Sequence, residues 1–376
     1  MTDLRQQLRE LTALVGISSR EDDVVKYMYS AFSRYSDNVD VDMLGNVTAA
    51  FPCGREGAQK LMFFAHMDEV GMVVKKVEPS GFLRVERLSA VNNHVLPGAA
   101  YSVRTHSGKL VPGVIGAKSH HFMTPDEKLR LPDFHQLYLD IGCKTAQEAE
   151  SMGITTGCVV AFEHRFIEMG NNIVATKSID DRAGLLALLG LAKHLQGRAY
   201  DFDIYIVASV QEEFNLRGIM PAARRIDPDI AVCIDVAPLA DTPDTAAGCE
   251  LSMGAGPALA YYTYHGRGTL NGLIPNEKLV HFFEEVCGKQ GIKFQREVSR
   301  GCLTESSYIA ISGEKGVACV NISVPTRYTH TPVEMASLDD ISATIDMLTA
   351  FADNWNPQTD LRKHIWHELE DTTCHG

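Results

Sequence analysis

The strongest constraint on the fold is a regular alternation of apolar strand-like segments and helix-like segments after about residue 170. Segments at 203–209, 230–235 and 317–322 are rich in apolar residues and indicate buried strands, and helix-like segments alternate with strands along this part of the chain. An earlier run, Leu61 to Ala65, has the same apolar character and ends at His66. Such alternation predicts an α/β fold, with a mixed sheet covered by helices on both faces.

Residues 71–166 interrupt this pattern. Short alternating runs there are separated by turns that contain glycine and proline, which is typical of a small β-rich unit. We therefore predict an inserted β domain at 71–166 within one α/β domain formed by 1–70 and 167–356. The remaining tail, 357–376, contains His364, His367 and His375 and is interpreted as a peripheral helix or frayed end rather than a metal site.

Composition excludes several classes of function. The 376 residues include 35 basic and 48 acidic side chains, with no basic stripe of the kind that nucleic-acid binding requires. The apolar runs are shorter than the roughly 20 residues that cross a bilayer, and the first residues do not resemble a secretory signal. Nine widely spaced cysteines form no CxxC pair, which favours a reducing compartment. We expect a cytoplasmic protein that binds neither nucleic acid nor membrane.

Acids and histidines recur at the predicted ends of apolar strands. Because the carboxyl ends of strands in an open α/β sheet converge on one crevice, these side chains are expected to share a site. They number two imidazoles and at least three carboxylates, without a thiolate, a donor set that suits zinc, cobalt or manganese. The count matches a two-metal hydrolase. The candidates are His66 and Asp68, Asp180 and Asp181, Glu212 and Glu213, Asp235, and His330.

Each candidate taken singly has another interpretation. His66 and Asp68 have the spacing of a metal ligand and a carboxylate that bonds its far ring nitrogen, but the same spacing is common in turns. Asp180 or Asp181 would also serve as a helix cap. Of the two glutamates that follow Val210, one could bind metal while the other accepts a proton, and spacing does not decide which. Asp235 could be a turn former where its strand ends, and His330 a hydrogen-bonded structural histidine.

Four segments resemble motifs of the M42 metallo-aminopeptidases, a family that includes glutamyl aminopeptidases, tetrahedral aminopeptidases and proteins once labelled endoglucanases. The resemblance extends to about residue 354. The matching segments are FFAHMDEVG at 63–71, SIDDRAG at 178–184, VQEEFNLRG at 210–218 and RYTHTPVE at 327–334.

This resemblance implies a zinc-peptidase-like catalytic domain that removes the N-terminal residue of short peptides. It implies two divalent ions per subunit, zinc or cobalt or else manganese, with Asp180 bridging them and Asp68 orienting His66. Glu212 would be the general base that activates a metal-bridging water. The inserted domain would be PDZ-like or barrel-like and serve assembly into a homo-oligomer, often a tetrahedral shell of twelve subunits. The implied metal ligands are His66, Asp180, Glu213, Asp235 and His330.

Departures from the family pattern concern substrate choice more than chemistry. Residues 302–307, CLTESS, stand where relatives have a Gly-rich segment with Thr-Asp-Ala, so the acid at Glu305 is one methylene longer. Asn215 replaces a usual glycine, and His120 and His121 replace a loop that is often rich in proline. The rival functions are a deacylase of N-acyl amino acids and a metal-binding scaffold or regulator with weak activity. A glycosidase ranks last, because adjacent glutamates are poorly placed to flank a glycosidic bond at about 5–9.5 Å.

Overall fold

The computed structural model describes residues 2–245, 250–266 and 272–362. The tail histidines therefore lie outside the described residues. No helix in the described ranges is long and apolar enough to cross a membrane. Those helices are α1 (Thr2–Ala13), α2 (Asp22–Phe32), α3 (Ala146–Ser151), α4 (Ile179–Leu195), α5 (Met220–Ile226), α6 (Glu277–Gln290), α7 (Ser306–Ile309) and α8 (Leu338–Asn354), with short 3-10 helices at Asn93–Val95, His120–Phe122, Glu127–Leu129 and Phe134–Gln136.

The strands form two sheets. One has twelve strands within the described residues and the other has five. In chain order the strands are β1 (Asn38–Val41), β2 (Val47–Phe51), β3 (Lys60–His66), β4 (Met72–Val77), β5 (Leu83–Arg87), β6 (Ala100–Arg104), β7 (Leu110–Val114), β8 (Val159–Phe162), β9 (Ile167–Glu168), β10 (Ile173–Thr176), β11 (Asp203–Ser209), β12 (Ile230–Pro238), β13 (Ala258–Tyr264), β14 (Gly272–Leu273), β15 (Gln295–Arg300), β16 (Ala318–Arg327) and β17 (Glu334–Ser337).

The large sheet has a parallel centre, in the order β11-β3-β12-β16, with antiparallel strands beyond it. Its central strands bury both faces. In β3, Leu61 and Phe63 join the core beneath α1, α2, α4, α6 and α8, whereas Met62 and Phe64 pack with α5 and α7. The predicted mixed α/β sheet, covered by helices on both faces, is confirmed.

One predicted strand end was wrong. The apolar pattern placed the end of a strand at Asp235, but β12 continues to Pro238, since its pairing with β16 extends to Thr326. Val236 is buried on the core face, so the alternation of core-facing apolar side chains continues beyond Asp235. Asp235 is therefore held inside the sheet by neighbours on both sides along the strand, and it is not a turn former.

Residues 71–166 contain the small sheet, in the order β5-β4-β8-β6-β7, and every pairing in it is antiparallel. Apolar side chains that include Leu83, Val103 and Leu139 form a core separate from those of the large sheet. We call this region the β unit and the rest of the described chain the α/β unit. The boundaries given above for the domains stay predictions.

Candidate active site

The structure brings the five implied metal ligands together at the carboxyl ends of the central strands. Each comes from a different element, as the convergence of strand ends predicts. His66 ends β3, Asp180 opens α4, Glu213 follows β11, Asp235 lies within β12 and His330 follows β16. Their candidate ligand atoms fall into two sets, each with all atoms within 4.8 Å of one another: His66, Asp180 and Asp235 in one, and Asp180, Glu213 and His330 in the other.

Asp180 belongs to both sets. Its Oδ1 lies 3.0 Å from Nε2 of His66, and its Oδ2 lies 3.4 Å from Nε2 of His330. Nε2 of His330 is also 3.3 Å from Oε1 of Glu213. One carboxylate thus faces both halves of the site with a different oxygen.

Both histidines are oriented through their other ring nitrogen. Nδ1 of His66 lies 3.0 Å from the backbone oxygen of Asp68, and Nδ1 of His330 lies 3.0 Å from the backbone oxygen of Ala90 in the β unit. A carbonyl oxygen can only accept, so each Nδ1 donates a proton and each Nε2 points into the site. This is the tautomer in which Nε2 can bind a metal.

The Asp68 carboxylate has a different set of partners from the one that sequence spacing suggested. It accepts hydrogen bonds from the backbone N–H groups of Glu212 and Glu213, at 2.9 and 3.1 Å, and from Oγ of Ser18 at 2.5 Å. Its nearest oxygen is 3.5 Å from Nδ1 of His66, which bonds the Asp68 backbone oxygen instead. The carboxylate therefore holds the backbone of the two glutamates.

Helix capping accounts for one of the two adjacent aspartates. Asp181 accepts from the backbone N–H of Gly184 at 2.8 Å, as a residue at a helix start does. The peptide bond between Asp180 and Asp181 is cis, and both residues have non-helical backbone angles. The side chain of Asp180 faces the two histidines.

Burial and mutual repulsion dominate the electrostatics of the site. Burial, reinforced by the charge of Asp180, raises the pKa of Asp235 to about 8. Burial likewise raises the pKa of Glu212 well above its usual value. Burial alone would lower the pKa of His66, but the carboxylates of Asp180 and Asp68 raise it. Several acids thus share a space in which they cannot all be charged unless cations are present.

Sequence reasoning assigned no role to three further acids that support the site. Glu334 accepts from the backbone N–H of Asp180 at 3.0 Å and of His330 at 2.7 Å. In the sequence, Glu334 is marked only by its place at the end of the 327–334 segment, four residues after His330. Glu21, just before α2, accepts from the backbone N–H of Gln211 at 3.1 Å.

The third acid, Glu305, accepts from Oγ of Ser209 at 2.5 Å and from the backbone N–H of Ile219 at 3.2 Å. In the sequence, Glu305 stands out only as a departure from the family pattern. Its partners lie at the two ends of the 209–219 loop, which carries Glu212. Glu305 therefore holds both ends of this loop by hydrogen bonds.

Comparisons with known proteins identify the family of this chain. The family model described as "M42 glutamyl aminopeptidase" matches residues 45–347. The Escherichia coli K12 protein named "Putative aminopeptidase SgcX" is 42% identical over 337 residues, which cover 90% of each chain.

Two solved structures share the fold. An aminopeptidase from the archaeon Desulfurococcus kamchatkensis has a TM-score of 0.89 and 34% identity, and the match covers 95% of this chain and 96% of that one. The TET1 peptidase of Pyrococcus horikoshii, which can assemble into a tetrahedron or a large octahedral shell, has a TM-score of 0.82 and 25% identity, over 93% and 99% of the two chains. The matched motifs, the fold and these relatives lead to one assignment: the chain belongs to the M42 aminopeptidase family and is a hydrolase of the peptidase class.

Proposed function

We propose that the protein is a two-metal aminopeptidase that removes the N-terminal residue from short peptides. The observation that carries this proposal is the pair of ligand sets that share Asp180. A carboxylate with one oxygen toward each set suits two cations held a few ångströms apart, about 3.5–4 Å in known two-metal sites. Each set then supplies imidazole nitrogen and carboxylate oxygen to one cation.

The chemistry of the donors fits divalent ions. The ligand sets contain nitrogen and oxygen atoms and no cysteine, which suits zinc, cobalt or manganese. Without cations, burial and Asp180 keep the pKa of Asp235 near 8, so protons neutralise part of the site. Bound cations would take the place of those protons. When present, they supply Lewis-acid polarisation of the scissile carbonyl and make water more acidic.

Glu212 is the proposed general base. Glu212 is 8% exposed, and its Oε2 lies 4.0 Å from Nε2 of His66. A third set of candidate ligand atoms within 4.8 Å of one another joins Glu212 with His66 and Glu213, so its carboxylate lies beside the proposed cations. Its backbone is fixed by Asp68, so the carboxylate has a defined approach to the site. Burial raises its pKa, and a raised pKa suits a group that takes a proton from the attacking water and returns it to the leaving amine. Glu213, its neighbour, faces His330 and acts as a ligand.

The test is the variant Glu212→Gln, assayed on aminoacyl-anilides and short peptides with zinc or cobalt. We expect the metal content to stay at the wild-type level while kcat falls by about 10²–10⁴-fold, the usual contribution of a general base. Glu86→Gln on β5 is the matched control, because the Glu86 side chain is 40% exposed and pairs with Lys75, and its kcat should equal that of the wild type.

Three results would contradict this proposal. Full turnover by Glu212→Gln would remove the base assignment. Bound metal without cleavage of any aminoacyl substrate by the wild type would indicate a scaffold, and cleavage of N-acyl amino acids alone would indicate a deacylase.

We also infer assembly into a homo-oligomer. The β unit exposes large apolar side chains, with Phe122 77% and Leu129 89% exposed, and such residues commonly mark interaction surfaces. The Pyrococcus horikoshii relative described above forms closed shells. A solution mass that is a multiple of the 41.3 kDa subunit, twelvefold for a tetrahedral shell, would support this inference, and a monomer mass at micromolar concentration would contradict it.

A further inference from the structure

The two proposed ligand histidines are oriented from different parts of the chain. Nδ1 of His66 bonds the backbone oxygen of Asp68, two residues along its own segment, whereas Nδ1 of His330 bonds the backbone oxygen of Ala90 in the β unit. The side chain of His66 is 2% exposed and that of His330 is 31% exposed, so packing restrains the second ring less. The Ala90 carbonyl therefore has the larger part in aiming Nε2 of His330 into its ligand set.

The Ala90 carbonyl lies in the connection that follows β5. Ala90 is itself exposed, so its methyl group does little to hold the peptide in place. The residues on either side are restrained instead. Val91 is buried in the core of the β unit, and its N–H donates to the backbone oxygen of Ser89 at 2.9 Å. Ser89, on the other side, is hydrogen-bonded to Gly71. The carbonyl is thus held from both ends.

Gly71 holds this connection with both of its backbone groups. Its N–H donates to Oγ of Ser89 at 2.9 Å, and its oxygen accepts from the N–H of Leu88 at 3.0 Å. Gly71 is closely packed, because a Cβ atom there would lie 2.3 Å from Cδ1 of Ile17. It also ends the 63–71 segment, which carries a ligand of the other set. A fixed point of the chain near one ligand set therefore holds the loop that orients the other.

We propose that Ser89 is a positioning residue for the ligand set that contains His330, and that its hydroxyl group strengthens the binding of one divalent cation but not of the other. This proposal rests on the proposed two-metal function. Oγ of Ser89 accepts from Gly71, and this bond keeps the Ala90 oxygen 3.0 Å from Nδ1 of His330. A carbonyl at that distance fixes the ring and its tautomer, with Nε2 toward the cation. Removing such a partner of a ligating histidine typically weakens metal binding by about 10- to 100-fold.

The test is Ser89→Ala in the full chain, with the metal-free protein titrated with zinc or cobalt. Without the hydroxyl, the Gly71 N–H loses its acceptor, and the connection after β5 should shift. We expect the Kd of one ion per subunit to rise about tenfold and that of the other to stay within about twofold of wild type. Ser89→Thr keeps the oxygen and should bind both ions as the wild type does. Ser107→Ala, at the exposed turn between β6 and β7 where the hydroxyl bonds Thr105, is the control.

A second measurement assigns the affected ion. His330→Ala removes one proposed ligand and should leave one tightly bound ion per subunit. Adding Ser89→Ala to this variant should leave the affinity for the remaining ion within about twofold, because both residues act on the same ion that is already lost.

Four results would overturn the inference: wild-type affinity for both ions in Ser89→Ala, an equal loss of affinity for both, equal weakening in Ser89→Thr and Ser89→Ala, or weaker binding of the remaining ion when Ser89→Ala is added to His330→Ala. A wild type that binds fewer than two ions per subunit would instead overturn the proposed two-metal function, and this inference with it.

Discussion

The β unit and the α/β unit bury different kinds of side chain. Among the described residues, every buried Asp, Glu, His, Lys and Arg lies in the α/β unit, and Thr105 is the one buried polar residue at 71–166. The β unit keeps its charges at the surface and closes over an apolar core. The α/β unit has apolar cores on both faces of its sheet and also buries carboxylates, several of them at the carboxyl ends of the central strands.

The buried side chains of the β unit stabilise its fold, whereas those of the α/β unit also include the acids of the candidate site. An apolar core stabilises a fold without further partners, whereas buried carboxylates cost free energy unless hydrogen bonds, cations or protons compensate them. In the α/β unit, backbone N–H groups compensate Asp68, Glu305 and Glu334. The β unit contributes to the site through a single backbone oxygen, that of Ala90, which orients His330. Substitutions in the two units should therefore have separable effects.

The largest effect is expected from a cavity in the β unit. Leu139 is fully buried there, and Leu139→Ala should lower the free energy of unfolding by about 2–5 kcal/mol. The variant should keep its metal content and kcat at temperatures where it remains folded. Denaturant unfolding and metal analysis measure the two quantities. Leu110→Ala, 47% exposed in the same sheet, is the control and should change stability by less than about 1 kcal/mol.

Loss of metal from folded Leu139→Ala would contradict the expectation that substitutions in the two units have separable effects. It would show that the β unit supports the ligand sets by more than one carbonyl contact.

An intermediate effect is expected from Asp68→Asn. The backbone N–H groups of Glu212 and Glu213 bond different oxygens of Asp68, and asparagine has an NH2 donor in place of one of them. One N–H group should therefore lose its acceptor, and the proposed base its fixed position. We expect kcat to fall by about 10- to 100-fold, or about 1.4–2.7 kcal/mol, with unchanged metal content. Steady-state kinetics and metal titration measure the two. Ser18→Ala, which removes one donor to the same carboxylate, should have a smaller effect on kcat.

The opposite pattern, with weakened metal binding and normal turnover once metal is restored, would contradict this assignment. It would show that the carboxylate acts by orienting His66, as a carboxylate that bonds a metal-binding histidine often does.

The sequence predicted the α/β class and the convergence of the ligands because strand-end residues in such sheets share one edge. Local pattern could not supply the partners of each carboxylate. Asp68 and Asp181 have similar surroundings in the sequence, yet one holds a loop 144 residues away and the other caps its own helix. Glu334 reaches the backbone of Asp180 because β17 pairs with β10, a pairing that periodicity does not specify. The end of β12 was misplaced for the same reason, because the partner strand determines how far a strand extends.

The smallest effect is a pH dependence that arises from Glu305. Burial raises the pKa of this carboxylate from 4.5 to about 7, although Ser209 and Ile219 donate hydrogen bonds to it. The folded chain therefore binds its proton more tightly than the unfolded chain does. The stability that this proton contributes is complete below pH 4.5 and is lost as the pH rises through about 7.

Glu305→Gln removes the titrating group, so the free energy of unfolding of the variant should fall less steeply over this range than that of the wild type. The difference in slope should be at most about 1.4 kcal/mol per pH unit. An amide also changes the two hydrogen bonds, which shifts the curve by a constant amount, so the slope and not the offset is the measure. Glu285→Gln, at an exposed position of α6, should give a curve parallel to that of the wild type. Parallel curves for Glu305→Gln as well would mean that this carboxylate stays ionised in the folded protein, and that the α/β unit compensates its buried acids with charge rather than with protons.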